Sequence, residues 1–89
     1  MISDNDKAAI TRIAEKYRIS RLLLFGSSAS PEREANDIDL AVEGLAPADF
    51  FLFYSDLLFS ASKPVDLIDL TDDSRFNRMI ATEGIPIYG

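Results

Sequence analysis

The sequence predicts a small α/β domain, in the α+β sense of a mixed sheet flanked by helices. Three observations predict it. Apolar residues recur at helical spacing over residues 4–17, a run of Leu22, Leu23, Leu24 and Phe25 is stopped by Gly26, and residues 37–43 alternate between acidic and apolar side chains before that pattern breaks. With the segments that follow, the order is helix, strand, strand, helix, strand, helix, which suits helices covering one small sheet.

The first helix begins with Ser3 followed three residues later by Asp6, a capping box with Asp in place of the usual Glu or Gln, and Ala9, Ile10, Ile13, Ala14 and Tyr17 form its apolar face. Residues 21–25 read as a strand buried on both faces. Residues 27–36 are small and polar and read as a loop, with a single helical turn expected over 31–35 after Pro31. In the second strand, 37–43, a period of two puts Asp37 and Asp39 on one face and Ile38 and Leu40 on the other. Residues 47–60 read as a helix with Pro47 in its first turn. Its apolar residues, among them Phe51, Phe53, Leu57 and Phe59, surround too much of the circumference for one buried face. Part of it is therefore expected to meet a partner or a second copy of the chain. Residues 65–70 form the third strand, and Asp72 or Asp73 is expected to cap a last helix running to about residue 82. Gly84 then breaks the chain before a short terminal strand or tail at 85–88.

The 89 residues leave room for one domain, spanning 1–89, since domains usually run from about 50 to 250 residues. A core this small is marginal, and oligomerisation would help it. The formal net charge of -6 argues against general affinity for nucleic acid, which is bound mainly through clustered Lys and Arg. There is no Cys and no His, so disulfides, thiolate metal sites and the usual zinc ligand and general base are all absent. Any metal must be held by oxygen, which favours a hard ion such as magnesium. No apolar run approaches the roughly 20 residues that cross a bilayer, and a cytoplasmic location is the expectation.

Chemistry-bearing residues converge in three places: Gly-Ser at the end of the first strand, NDIDL on the second and VDLIDL on the third. Asp37 and Asp39 project together and repel each other unless a cation lies between them. A third carboxylate on the adjacent strand would let the site hold two metal ions about 3.5 to 4 Å apart. Asp66 and Asp69 compete for that place. Three residues apart on a strand they face opposite ways, and Asp66, in mid-strand, is the preferred one. Gly26 lets backbone approach a phosphate with no Cβ in the way, and Ser27 offers a hydroxyl and an amide to phosphate oxygens.

FGSSAS, NDIDLAV and VDLIDL together resemble the signature of the minimal nucleotidyltransferases of the DNA polymerase β superfamily, and the closing EGIPIY is similar to that family's C-terminal segment. The likeness covers nearly the whole chain. It implies a palm-like mixed sheet, Gly26 and Ser27 as nucleotide-binding residues, and Asp37, Asp39 and Asp66 as catalytic residues and magnesium ligands. It further implies an antitoxin that transfers AMP from ATP, or another nucleoside triphosphate, to a tyrosine of a helical HEPN ribonuclease toxin. Two other functions stay open at this point: a non-catalytic antitoxin that acts by complex formation, and a nucleotidyltransferase acting on a small molecule or RNA. Both would keep the same fold.

Overall fold

A computed structural model describes residues 2–31 and 36–89. The elements run α1 (Asp4–Lys16), β1 (Arg21–Leu24), a 3-10 turn (Gly26–Ala29), β2 (Ile38–Glu43), a second 3-10 turn (Pro47–Asp49), α2 (Phe50–Ser60), β3 (Val65–Asp69), α3 (Arg75–Glu83) and β4 (Ile85–Tyr88). The four strands form one sheet in the order β3-β2-β1-β4. β1 pairs antiparallel with β2 and with β4, while β2 and β3 are parallel, so the sheet is mixed as expected. The parallel pair needs a crossover, which α2 supplies.

The strand alternation divides the core between the two faces of the sheet. Leu22 and Leu24 of β1, Ile38, Leu40 and Val42 of β2 and Val65 of β3 are buried against Ile10, Ile13 and Ala14 of α1 and Phe53 and Leu57 of α2. On the opposite face Leu23, Ala41, Leu70 and Ile80 form a smaller cluster under α3, with Phe25 and Ile68 packed beside it. Asp39 and Asp66 alternate onto this second face, which α3 covers only in part.

Local chemistry explains most element ends. Ser3 caps α1, its Oγ accepting the Asp6 amide at 3.1 Å. The Asp6 carboxylate is used for a tertiary contact: it accepts the amide of Ser62 at 2.9 Å and its hydroxyl at 2.6 Å, tying the start of α1 to the loop after α2. α1 closes with the Ile19 amide donating to the Ala14 carbonyl and the Arg18 amide to that of Glu15. Arg18 takes the left-handed conformation (φ 55) that glycine usually fills at this point. Asp56 joins α2 to α1 by accepting from Lys16 Nζ at 2.9 Å and the Tyr17 hydroxyl at 2.7 Å. The Tyr54 hydroxyl donates to the Val65 carbonyl at 2.9 Å, fixing α2 on β3.

Three local expectations change. Gly26–Ala29 is a 3-10 turn rather than irregular loop, because Ser28 finds partners in Phe25, just after β1, and in Asp39 of β2. The helix expected over 47–60 starts as a 3-10 turn and becomes α-helical from Phe50. The cap of α3 is Ser74, whose Oγ accepts the Asn77 amide at 3.0 Å. Asp72 and Asp73 lie before it: the Asn77 side-chain amide donates to the Asp69 and Asp72 carbonyls, at 3.2 and 2.8 Å, and holds the preceding residues in a turn. The helical turn expected over 31–35 lies outside the described residues apart from Pro31. Among the described residues no helix is long and apolar enough to cross a membrane.

Burial raises the pKa of Asp6, but the hydrogen bonds from the Ser62 hydroxyl and amide, the Ser3 hydroxyl and the charge of Lys63 together outweigh it, and the net shift is downward. A depressed carboxylate contributes stability that is fully present above its unfolded value of 3.8 and is lost as pH falls through the folded value. Asp6→Ala is expected to cost about 2 kcal/mol at pH 7, because Ser62 is left with unpaired donors. Urea denaturation checks this, and the gap from wild type should narrow only below pH 3.8. A loss under about 0.5 kcal/mol, the ordinary range for an inconsequential surface change, would contradict it.

Candidate active site

The site is built where β1 ends and β2 begins. β1 passes into Gly26, whose φ of +63 lies in the left-handed region. A Cβ at this residue would stand 2.6 Å from Asp39 Oδ2, so glycine is required here both by the backbone and by the close approach of the aspartate. Ser28 is buried and joins the turn to the strand: its Oγ donates to the Phe25 carbonyl at 2.7 Å and accepts the Asp39 amide at 3.1 Å. The Phe25 amide donates to the Asp39 carbonyl at 3.1 Å. Three hydrogen bonds thus tie the residues flanking Gly26 to one another and to Asp39.

Parallel pairing of β2 with β3 sets Asp39 directly beside Asp66, in a register that runs from Ile38 with Val65 to Val42 with Asp69. Asp37 is exposed and lies one residue before the first paired residue of β2. Burial raises the pKa of Asp39, and the charges of Asp66 and Asp37 and a carboxyl hydrogen bond with Asp66 push it in the same direction. Asp69, the competing candidate, is spent at the end of β3, where its Oδ1 accepts the Thr71 amide at 2.8 Å and the Thr71 hydroxyl at 2.5 Å. Ser27 is exposed on the turn beside Gly26.

The structure therefore brings Asp39, Asp66 and the Gly26 turn together, with Asp37 near enough for its charge to be felt. Among the described residues, however, no group of three or more His, Cys, Asp or Glu forms a ready-made metal-binding cluster. Asp39 and Asp66 thus meet as a pair, and Asp37 adds its charge without completing a three-carboxylate cluster. The donor set itself suits a hard divalent cation, since it is all carboxylate and the chain has no His or Cys. Ser28, buried at the centre of the arrangement, is the residue that sequence reasoning passes over. Its only signal is a second hydroxyl in a stretch of small residues after a strand-ending glycine.

A mixed sheet with helices on both faces, and adjacent aspartates beside a glycine-serine turn, defines a nucleotidyl-transfer type of domain. The chain belongs to the polymerase beta nucleotidyltransferase family, whose model matches residues 8–89. Two solved structures show the same fold. A chain from a toxin-antitoxin structure determined with AMP-PNP is 24% identical, with a TM-score of 0.75 over 93% of this chain and 73% of that one. A chain from the toxin-antitoxin MntA-HepT is 22% identical, with a TM-score of 0.72 over 98% of this chain and 73% of that one. No curated protein gives a significant match.

A raised carboxyl pKa means that the folded state holds the proton more firmly than the unfolded chain. Stability is therefore lost as pH rises from 3.8 through the folded value, and the penalty comes from the charged form of Asp39. In the absence of divalent ions Asp39→Asn is expected to raise stability at pH 7 by up to about 1 kcal/mol, the scale of like charges facing each other across strands. Unfolding in urea with EDTA present measures it, and a destabilised variant would contradict the repulsion. By contrast, Gly26→Ala should cost at least about 1 to 2 kcal/mol from its left-handed backbone alone. An unchanged melting temperature would show that Asp39 and the turn yield freely.

Proposed function

We propose that this chain transfers AMP from ATP to a tyrosine hydroxyl of a partner protein, with magnesium as the cofactor, and that the partner is a HEPN-type helical toxin which the modification silences. Family membership supports nucleotidyl transfer as the reaction class. The observation that carries the reading is the placing of Asp39 beside Asp66, with Asp37 close by, against a glycine turn with no Cβ to obstruct a phosphate.

In this mechanism the Gly26 turn receives the triphosphate, with the Ser27 hydroxyl and amide donating to its oxygens. Asp37 and Asp39 would hold the magnesium that accompanies ATP, and Asp66 would help hold a second ion. Magnesium bound by these carboxylates would neutralise charge on the phosphates and lower the pKa of the acceptor hydroxyl. Asp66 takes the proton of that hydroxyl on a carboxylate oxygen. The tyrosine oxygen forms a bond to the α-phosphorus as the bond from that phosphorus to the pyrophosphate oxygen breaks, and pyrophosphate leaves with the electron pair. Positioning and charge stabilisation provide the catalysis, and Ser28 contributes by fixing the Asp39 backbone relative to the turn.

A partner is supported by α2. Phe51 and Phe59 are 79% and 94% exposed, and Leu52 and Leu58 are also exposed, forming an apolar surface that a soluble monomer rarely tolerates. The same surface favours a second reading, neutralisation of the toxin by complex formation alone, in which the carboxylates are dispensable.

Incubation with ATP labelled at the α-phosphate, magnesium and the candidate toxin decides between them. The enzyme reading expects label on the toxin, lost by at least about a hundredfold in Asp39→Asn, as when a key electrostatic group is removed. Equal labelling by that variant contradicts it. Absence of label together with undiminished toxin neutralisation by Asp37→Asn and Asp39→Asn would establish the binding reading instead.

A further inference from the structure

We infer that the groove between α3 and the Gly26 turn is the nucleobase subsite, with Phe25 and Phe76 as its aromatic walls and Glu83 as a hydrogen-bond acceptor for an exocyclic amine. The inference rests on the nucleotidyl-transfer reading and adds to it where the base of the nucleotide lies.

The groove has a volume of about 520 Å³, within the range of small-molecule sites. Phe25 and Gly26 line one side, and Phe76, Met79 and Glu83 of α3 line the other. Ile80 is the buried residue of α3 and attaches the helix to the smaller core. Phe76 and Met79 do not share that role: they are 53% and 48% exposed. Two large apolar side chains are thus presented to an open groove on the same sheet face as Asp39.

The position of the groove selects its occupant. Gly26 belongs both to the groove wall and to the contact with Asp39 Oδ2, where an added Cβ would stand 2.6 Å away. A ligand whose phosphates rest on the Gly26 turn therefore has the groove as its adjacent apolar space. A flat heteroaromatic ring joined to a phosphate by a sugar matches that continuity, since aromatic side chains stack on any base and the thioether of methionine adapts to a ring edge. Glu83 adds a preference. Its carboxylate accepts from the exocyclic amine of adenine, cytosine or guanine and finds no such donor on uracil.

The test is calorimetric titration of the full chain, with magnesium present, using ATP, UTP and inorganic triphosphate as probes. Wild type should bind ATP more tightly than inorganic triphosphate. Phe76→Ala is expected to weaken ATP binding by about tenfold, the loss seen when one stacking partner of a base is removed, while leaving triphosphate affinity unchanged. Met79→Ala should act in the same sense, and Glu83→Gln should reduce the preference for ATP over UTP. Both α3 side chains are about half exposed, so the variants should keep the wild-type melting temperature, and circular dichroism verifies this. Equal weakening of ATP and triphosphate, or unchanged ATP affinity in both α3 variants, overturns the subsite. Failure of wild type to bind either ATP or triphosphate would instead remove the nucleotidyl-transfer reading, and the subsite with it.

Discussion

Parallel pairing of β2 with β3 forces Asp39 to lie next to Asp66, and the organisation of the site follows from this juxtaposition. Strand register is discrete: a slip of one residue would send every side chain of β3 to the other face and bury Asp66 among the leucines. The apolar residues prevent such a slip, because Val65 and Leu67 pack with the core under α1 and α2 while Ile68 packs toward α3. Burial of the hydrocarbon side chains thus imposes an unfavourable contact between two carboxylates. The repulsion is tolerated because it is small compared with the cost of exposing an aliphatic face.

Around that pair the scaffold gives up local stability for position. Gly26 takes a left-handed conformation and leaves room for Asp39, and the otherwise inconspicuous Ser28 joins the turn to the strand through backbone hydrogen bonds. A buried serine with both partners satisfied is rigid, so the aspartate and the Gly26 turn beside it are held together. The helices are distributed to match. α1 and α2 cover one face of the sheet and are linked through Asp56, Tyr17 and Lys16. α3 covers only the inner part of the other face, so the carboxylate end stays accessible.

Strands and helices were legible because their periods are: the alternation of NDIDL and the spacing of Ile10, Ile13 and Ala14 report faces directly. The acidic site was legible for the same reason, since Asp39 and Asp66 each sit between apolar neighbours on strands. What lies between elements was not. Asp72, Asp73 and Ser74 are all competent helix caps, and the choice among them falls to Asn77, whose side chain bonds back to the turn. Ser28 could not be singled out, because its partners become neighbours only when the 3-10 turn folds against β2. The surplus of phenylalanine on α2 was visible in the sequence and is exposed in the fold, whereas Phe76 and Met79 look like ordinary core residues until α3 is seen to use Ile80 for packing.

Under the proposed function, the aspartates of β2 and β3 would act as one cation-binding group, completed when nucleotide and metal bind. Manganese is a paramagnetic substitute for magnesium that broadens nearby amide resonances. Titrated in with a non-hydrolysable ATP analogue, it should first erase the signals of Gly26, Ser27, Asp39 and Asp66 while those of the Asp69, Asp72 and Asp73 turn persist. Broadening centred on that turn, or spread evenly over the acidic surface, would contradict the account.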